Sequence, residues 1–124
     1  MTNSIVLDKS RIFAVRIIKL FKVLTADRHE FIISKQIARS GTSIGANVTE
    51  AEYSMSKKEF LQKMNLALKE AQETKYWLYV LLNSDYINTR EYESINSECC
   101  ELCAMLISII NTTKRNLVNE KCKT

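Results

Sequence analysis

The chain has 124 residues, with two glycines, no proline and a formal net charge of +4. Because β-sandwiches and barrels need many turn residues, this composition argues against them and favours long, uninterrupted helices. The length suits one domain. We therefore expect residues 1–124 to form a single domain, with a flexible start at 1–7 and a basic tail at 114–124.

The sequence carries no membrane or export signal. No segment reaches the roughly 18 consecutive apolar residues that a membrane-spanning helix needs. The stretch from Met1 to Ser10 lacks the basic region and apolar run of a signal peptide. We therefore expect a cytoplasmic protein without a membrane partner, in which the crowded cysteines Cys99, Cys100 and Cys103 stay reduced.

The first predicted helix runs from Asp8 to Thr25. Its apolar residues fall on one broad arc at the helical period, and cations occupy the other arc. Those cations are Lys9, Arg11, Arg16, Lys19 and Lys22, with Arg28 just beyond the helix. We interpret this arc as a positive surface with no acidic partner on the arc itself.

The second predicted helix runs from Phe31 to Glu52 and contains both glycines, Gly41 and Gly45. Each glycine costs about 1 kcal/mol relative to alanine in a helix interior. Close approach of a neighbouring backbone is the expected compensation.

Two capping boxes mark the remaining helices. Ser56–Glu59 opens a third helix that ends near Asn83, and Asn88–Glu91 opens a fourth that ends near Thr113. Four amphipathic helices with short connections predict an all-α fold, an antiparallel up-down-up-down four-helix bundle. Extra apolar residues on the first and fourth helices predict a homo-oligomer.

Reactive groups do not converge in this sequence. His29 is the single histidine, so it has no second histidine with which to hold a metal. Cys99 lies in the apolar seam of the fourth helix, where a free cysteine packs as a small hydrophobe. We therefore expect no enzyme activity, no cofactor and no metal site.

The cations carry the strongest functional signal. Lysine and arginine that neutralise phosphates release counterions and provide affinity without base contacts. We predict a nucleic-acid surface made of Lys9, Arg11, Arg16, Lys19, Lys22, Arg28, Lys114 and Arg115. The alternative is a scaffold that binds no nucleic acid and docks a protein through the acidic fourth helix, at Glu91, Glu93, Glu98 and Glu101.

Three stretches are distinctive: FAVRI at 13–17, QIARSGTSIGANVTEA at 36–51, and 60–82 with ALKEA and ETKYWL at its centre. They resemble the bacterial four-helix-bundle family encoded in intervening sequences of 23S ribosomal RNA genes, often labelled S23 ribosomal proteins. The resemblance covers nearly the whole chain. It implies a bundle without enzymatic activity that assembles as a ring, with a pentamer favoured.

The resemblance also implies partners and roles. The family is similar to the accessory variability protein of diversity-generating retroelements, a basic pentameric barrel that binds nucleic acid and a reverse transcriptase. RNA or DNA and a locus-encoded protein such as a reverse transcriptase are therefore the implied partners. We interpret the motif residues as architectural, setting register between helices and subunits: Arg39, Ser40, Gly41, Ser43, Gly45, Asn47, Lys69, Glu70, Glu73 and Trp77.

Overall fold

The computed structural model describes residues 4–123. Within that range the chain contains four α-helices and no strand: α1 Ser4–Lys22, α2 Ile33–Glu52, α3 Lys57–Asn83 and α4 Thr89–Lys123. A π-helical turn, Val23–Asp27, extends α1. The prediction of an all-helical chain with four helices is confirmed.

α1 begins before the predicted start at Asp8. It already includes Val6, which is fully buried in the core, and Leu7, which packs against that core. Burial of these two apolar side chains explains why the helix extends toward the N-terminus. Residues 1–3 of the predicted flexible start lie outside the described residues.

α4 continues past its predicted end near Thr113, through the predicted basic tail at 114–124, and reaches Lys123. An ion pair and a partly buried leucine accompany this extension of the helix. Lys57 at the start of α3 forms an ion pair with Glu120, and Leu117 is half-buried. The cations Lys114 and Arg115 therefore lie on a helix rather than on a flexible tail.

The core draws side chains from all four helices. The largest fully buried residues are Phe13, Ile17, Leu24, Ile37, Ile44, Met64, Leu78, Leu81, Leu102 and Leu106. Most residues of the predicted apolar seams lie in this core. Met55 continues the helical spacing of the apolar residues of α2, but it follows the end of that helix and is 91% exposed.

The two glycines of α2 face α1 at close range, as predicted. A Cβ atom at Gly41 would lie 2.8 Å from Cγ1 of Ile17, and one at Gly45 would lie 3.3 Å from the carbonyl oxygen of Ser10. Both partners are fully buried. The missing side chains therefore let α1 and α2 pack closely.

A buried polar contact links α2 to α3. The hydroxyl oxygens of Ser40 and Thr74 lie 2.8 Å apart, and both residues are fully buried. Because a buried hydroxyl is costly without a partner, this contact favours one register of the two helices. None of the helices within residues 4–123 has the length and apolar character to cross a membrane.

Candidate nucleic-acid interface

The predicted cationic arc of α1 is partly neutralised by α4. Lys9 Nζ lies 2.7 Å from Glu101 Oε1. Arg16 forms an ion pair with Glu98 and donates a 2.6 Å hydrogen bond to Ser94 Oγ. The cationic arc therefore has acidic partners on another helix, because the glutamates of α4 face it across the bundle.

Arg28 is also engaged. Its guanidinium donates to both carboxylate oxygens of Glu91, at 3.1 and 2.8 Å, and to the carbonyl oxygen of Tyr86 at 2.6 Å. The hydrogen bond from Arg28, supported by the backbone N–H of Asn88, lowers the pKa of the Glu91 carboxyl. Arg28 thus ties the end of α1 to the start of α4 and is not a free phosphate ligand.

Three cations of α1 remain available. Arg11, Lys19 and Lys22 are exposed and form no ion pair with any described residue. We call these three residues the cationic face. Asp8 is exposed on the same side of the helix, and three cations against this one carboxylate leave a net charge of +2.

The two predicted cations of α4 differ in their contacts. Lys114 is exposed and unpaired among the described residues, whereas Arg115 donates to Thr112 Oγ1 at 3.4 Å. They lie on the last turns of α4 and form a second, smaller positive area. Three of the eight predicted phosphate ligands, Lys9, Arg16 and Arg28, are therefore paired with glutamates of α4. The other five have no ion pair among the described residues: Arg11, Lys19, Lys22, Lys114 and Arg115.

Aliphatic side chains lie among the available cations. Ile12, Val15 and Ile18 are 64%, 57% and 39% exposed. Ile12 also lines a cleft of about 210 Å³ between α1 and α4, together with Phe13 and Leu102. Exposed aliphatic residues at this density are typical of a surface that packs against another molecule.

The motif residues of α2 and α3 form a polar cluster. Arg39 lies 3.0 Å from Glu70 and forms an ion pair with Glu73, while Trp77 Nε1 donates to Glu73 at 3.0 Å. The hydrogen bond from Trp77, together with Arg39, lowers the pKa of the Glu73 carboxyl despite partial burial. The cluster therefore bridges α2 and α3 within one chain.

Other motif residues do not join this cluster. Ser43 donates to the carbonyl oxygen of Arg39, and Asn47 donates to that of Ser43, so both bond within α2. Lys69 is exposed on α3. Ser40, Gly41 and Gly45 are buried between helices, as described above.

No group of three histidine, cysteine or acidic residues within residues 4–123 is placed to hold a metal ion. Cys100 and Cys103 have C-x-x-C spacing, which the sequence analysis overlooked. Cys99 donates to the carbonyl oxygen of Ala71 at 3.2 Å, and its contact with Cys103, together with burial, raises the pKa of the Cys99 thiol.

The connection between α1 and α2 presents exposed side chains that the sequence analysis did not single out for binding. Phe31 and Ile32 are 53% and 76% exposed, and His29 is exposed beside them. Glu30 is buried and accepts backbone N–H groups at the start of α2. An acidic residue just before a helix is the signal that could have revealed this cap.

Comparison with known proteins identifies the family. A model of the 23S rRNA-intervening sequence protein family matches residues 2–108. No curated protein matches the chain significantly. A crystal structure of a protein with unknown function from the S23 ribosomal protein family, from Bacteroides thetaiotaomicron VPI-5482, is 53% identical and has a TM-score of 0.88. That similarity covers 90% of this chain and 99% of the other. The chain therefore belongs to the 23S rRNA-intervening sequence protein family, as its motifs predicted.

Proposed function

We propose that this protein is a non-catalytic, oligomeric RNA-binding protein of the cytoplasm that contacts phosphates through the cationic face. The observation that carries the proposal is the exposure of Arg11, Lys19 and Lys22 without an ion pair among residues 4–123. Exposed, unpaired cations release counterions from phosphates most effectively, because they lose no carboxylate partner on binding. Lys114 and Arg115 add a second contact area on α4.

The absence of disulfides among the described cysteines accords with the proposed compartment. Cys99, Cys100, Cys103 and Cys122 are all free thiols. Cytoplasmic proteins keep their cysteines reduced, whereas secreted domains of this size commonly pair them.

We propose an antiparallel up-down-up-down order for the four helices. Two pairs of contacts support it. Ile17 packs at Gly41 while Ser10 packs at Gly45, so residue numbers rise along α1 as they fall along α2. Lys9 and Arg16 pair with Glu101 and Glu98, which gives the same relation between α1 and α4.

We further propose that copies of the chain assemble as a ring, with a pentamer favoured by the family resemblance. The exposed aliphatic residues of α1 support a subunit contact there. Viewed down the axis of α1 at 100° per residue, the side chains of Arg11 and Lys22 point about 20° apart. Ile12 points about 100° away from Arg11, toward α4. A neighbouring copy that packs beside Ile12 therefore leaves Arg11 and Lys22 accessible, whereas Lys19, about 20° from Ile12 in the same projection, borders that contact.

The alternative role as a protein scaffold has weaker support. Three of the four acidic residues proposed to dock a partner, Glu91, Glu98 and Glu101, pair with cations of the same chain. Glu93 is the member of that set that stays exposed without an ion pair in the described chain. A docking site for a reverse transcriptase on α4 would therefore need contacts other than these carboxylates.

Reversal of the cationic face tests RNA binding. The triple variant Arg11→Glu, Lys19→Glu, Lys22→Glu should lose measurable binding to an RNA hairpin in fluorescence anisotropy. Each lost phosphate contact also lowers the slope of log affinity against log salt by roughly 0.7–0.9. The salt series should therefore be flatter for any residual binding.

A variant with the same charge change provides the control. Lys58→Glu, Arg90→Glu, Gln62→Glu, Asn65→Glu changes the net charge by the same amount at four exposed positions on α3 and α4, and it should keep most of the affinity. Equal loss in both variants would mean that net charge, not the cationic face, governs binding. Full affinity in the α1 variant would contradict the proposal.

A single substitution tests the subunit contact. Ile12→Glu places a charge on a residue that is 64% exposed in one chain, so the fold of that chain should persist. We expect light scattering to show a multiple of 14.3 kDa for the parent protein and a smaller assembly for the variant. Tyr76→Glu, at a similarly exposed position on α3, should leave the mass unchanged. A monomeric parent protein would refute the ring.

A further inference from the structure

The connection between α1 and α2 holds two aromatic rings in solvent. The ring centroids of His29 and Phe31 lie 6.4 Å apart, and the ring planes are tilted by 47°. Ile32, next in the chain, is 76% exposed. These side chains contribute little to the core, which leaves their exposure without a structural explanation.

The backbone beneath the rings is held in place. The buried Glu30 carboxylate accepts the backbone N–H groups of Ile32, Ile33 and Ser34 at 3.1, 3.0 and 2.5 Å. The Glu30 N–H in turn donates to the carbonyl oxygen of Leu24 at 2.8 Å. The hydrogen bonds of Glu30 to α2 on one side and to Leu24 on the other therefore fix the backbone that carries the two rings.

His29 ends the first helix with a left-handed backbone conformation. Its φ angle of 55° is typical of the residue that follows a helix C-terminus, and Asp85 after α3 has the same conformation with a φ of 66°. The hydrogen bond from the Glu30 N–H to Leu24 closes this cap, and the resulting backbone places the imidazole beside Phe31.

Free positive charge adjoins the connection on both sides. Lys22 is the last residue of α1 and Lys35 lies in the first turn of α2; both are exposed and unpaired among the described residues. Viewed down the axis of α2, Lys35 points about 80° away from Gly45, which faces α1, and about 140° away from Ser40, which faces α3. Its side chain is therefore directed at neither neighbouring helix. Asp27 is the exposed acidic residue here, close to the paired Arg28.

We propose that His29 and Phe31 bind an unpaired nucleobase of the RNA whose phosphates contact the cationic face. This inference rests on the proposed function and names its ligand class, nucleic acid with single-stranded nucleotides. The ring planes are tilted by 47° and leave no parallel slot between them, so the base stacks on the exposed face of Phe31 with His29 at its edge.

The chemistry of this site sets its specificity. Stacking on aromatic rings tolerates any base, because every base has a flat π face. A fully paired duplex offers no free base to the rings, so it would be held by the cations alone. The site therefore gives the protein a preference for unpaired over paired nucleotides.

Phe31→Ala tests the site with two probes, a single-stranded oligouridylate and a fully paired RNA duplex of equal length. We expect about a tenfold loss of affinity for the oligouridylate, within the range of one lost stacking contact, and no change for the duplex. Tyr53→Ala is the matched control, because it removes an exposed ring from the connection between α2 and α3. That variant should bind both probes as the parent does.

A spectroscopic variant keeps the test independent of folding losses. Phe31→Trp should retain affinity for the oligouridylate, and its tryptophan emission should be quenched on binding. The parent, whose Trp77 lies on α3, should show no such quenching.

Equal affinity of Phe31→Ala and parent for the oligouridylate, or equal losses on both probes, would overturn the stacking site. An altered assembly mass with unchanged RNA affinity would do the same and assign the rings to a subunit contact. Failure of the parent to bind either probe would instead refute the proposed function.

Discussion

Gly41→Leu is expected to destabilise the bundle strongly. A Cβ atom at this position already lies 2.8 and 2.9 Å from Cγ1 and Cγ2 of Ile17, a residue that is fully buried. A leucine side chain brings further carbon atoms into a region without free volume. Overpacking typically costs about 1–3 kcal/mol for added methylenes, and this change is at or above that range. Because domains are stable by only about 5–15 kcal/mol, urea denaturation followed by circular dichroism should show a much lower midpoint or no transition.

Alanine substitutions provide the graded comparison. Gly41→Ala gains about 1 kcal/mol of helix propensity but meets Ile17, so we expect a net loss of stability. Gly45→Ala meets the Ser10 carbonyl oxygen at the longer distance of 3.3 Å and should be tolerated better. In a double-mutant cycle, Ile17→Ala should relieve part of the Gly41→Ala loss. A Gly41→Leu protein with the parent midpoint would contradict the packing of α1 on α2.

Glu30→Ala is expected to destabilise the chain by about 3 kcal/mol. The substitution removes the acceptor for three backbone N–H groups at the start of α2, and Ser34, which provides one of them, is fully buried. A buried donor left without a partner costs about 1–3 kcal/mol. The free energy of unfolding from urea titrations measures the loss. Glu52→Ala, which removes an exposed carboxylate at the other end of α2, should have little effect.

The same carboxylate makes stability depend on pH. Burial raises the pKa of Glu30, but the hydrogen bonds from Ile33, Ser34 and Ile32 outweigh burial, and the net pKa lies below its ordinary value. The ionised form is therefore favoured in the folded state. This contribution is complete above the pKa of the unfolded chain, and it is lost as pH falls through the folded-state pKa.

Glu30→Gln isolates this dependence. The amide keeps one acceptor oxygen but does not titrate, so the stability gap between parent and variant should shrink as the solution is acidified. Stability curves that stay parallel from neutral to acidic pH would show that the cap does not depend on the charge of Glu30.

Local features of this fold could be predicted from neighbouring residues. Both predicted caps form: Glu59 N–H donates to Ser56 Oγ at 3.1 Å, and Glu91 N–H donates to Asn88 Oδ1 at 2.8 Å. The second is a full capping box, because Asn88 N–H donates back to Glu91 at 2.9 Å, whereas Glu59 accepts the N–H of Met55 instead. The bonds that form the two caps join residues three positions apart, so residue type and spacing suffice to predict them. The close approach at Gly41 was predictable for a similar reason, since a glycine inside a helix needs a compensating contact.

The amino-acid sequence by itself determined the four helices, their apolar seams and the family. Only the tertiary structure decided which cations are available: Lys9 and Arg16 meet glutamates 92 and about 80 positions away, whereas Arg11, Lys19 and Lys22 meet none among the described residues. An ion pair across a bundle depends on which faces of two distant helices become neighbours. The pattern of one helix does not contain that information, because it arises only when the helices pack.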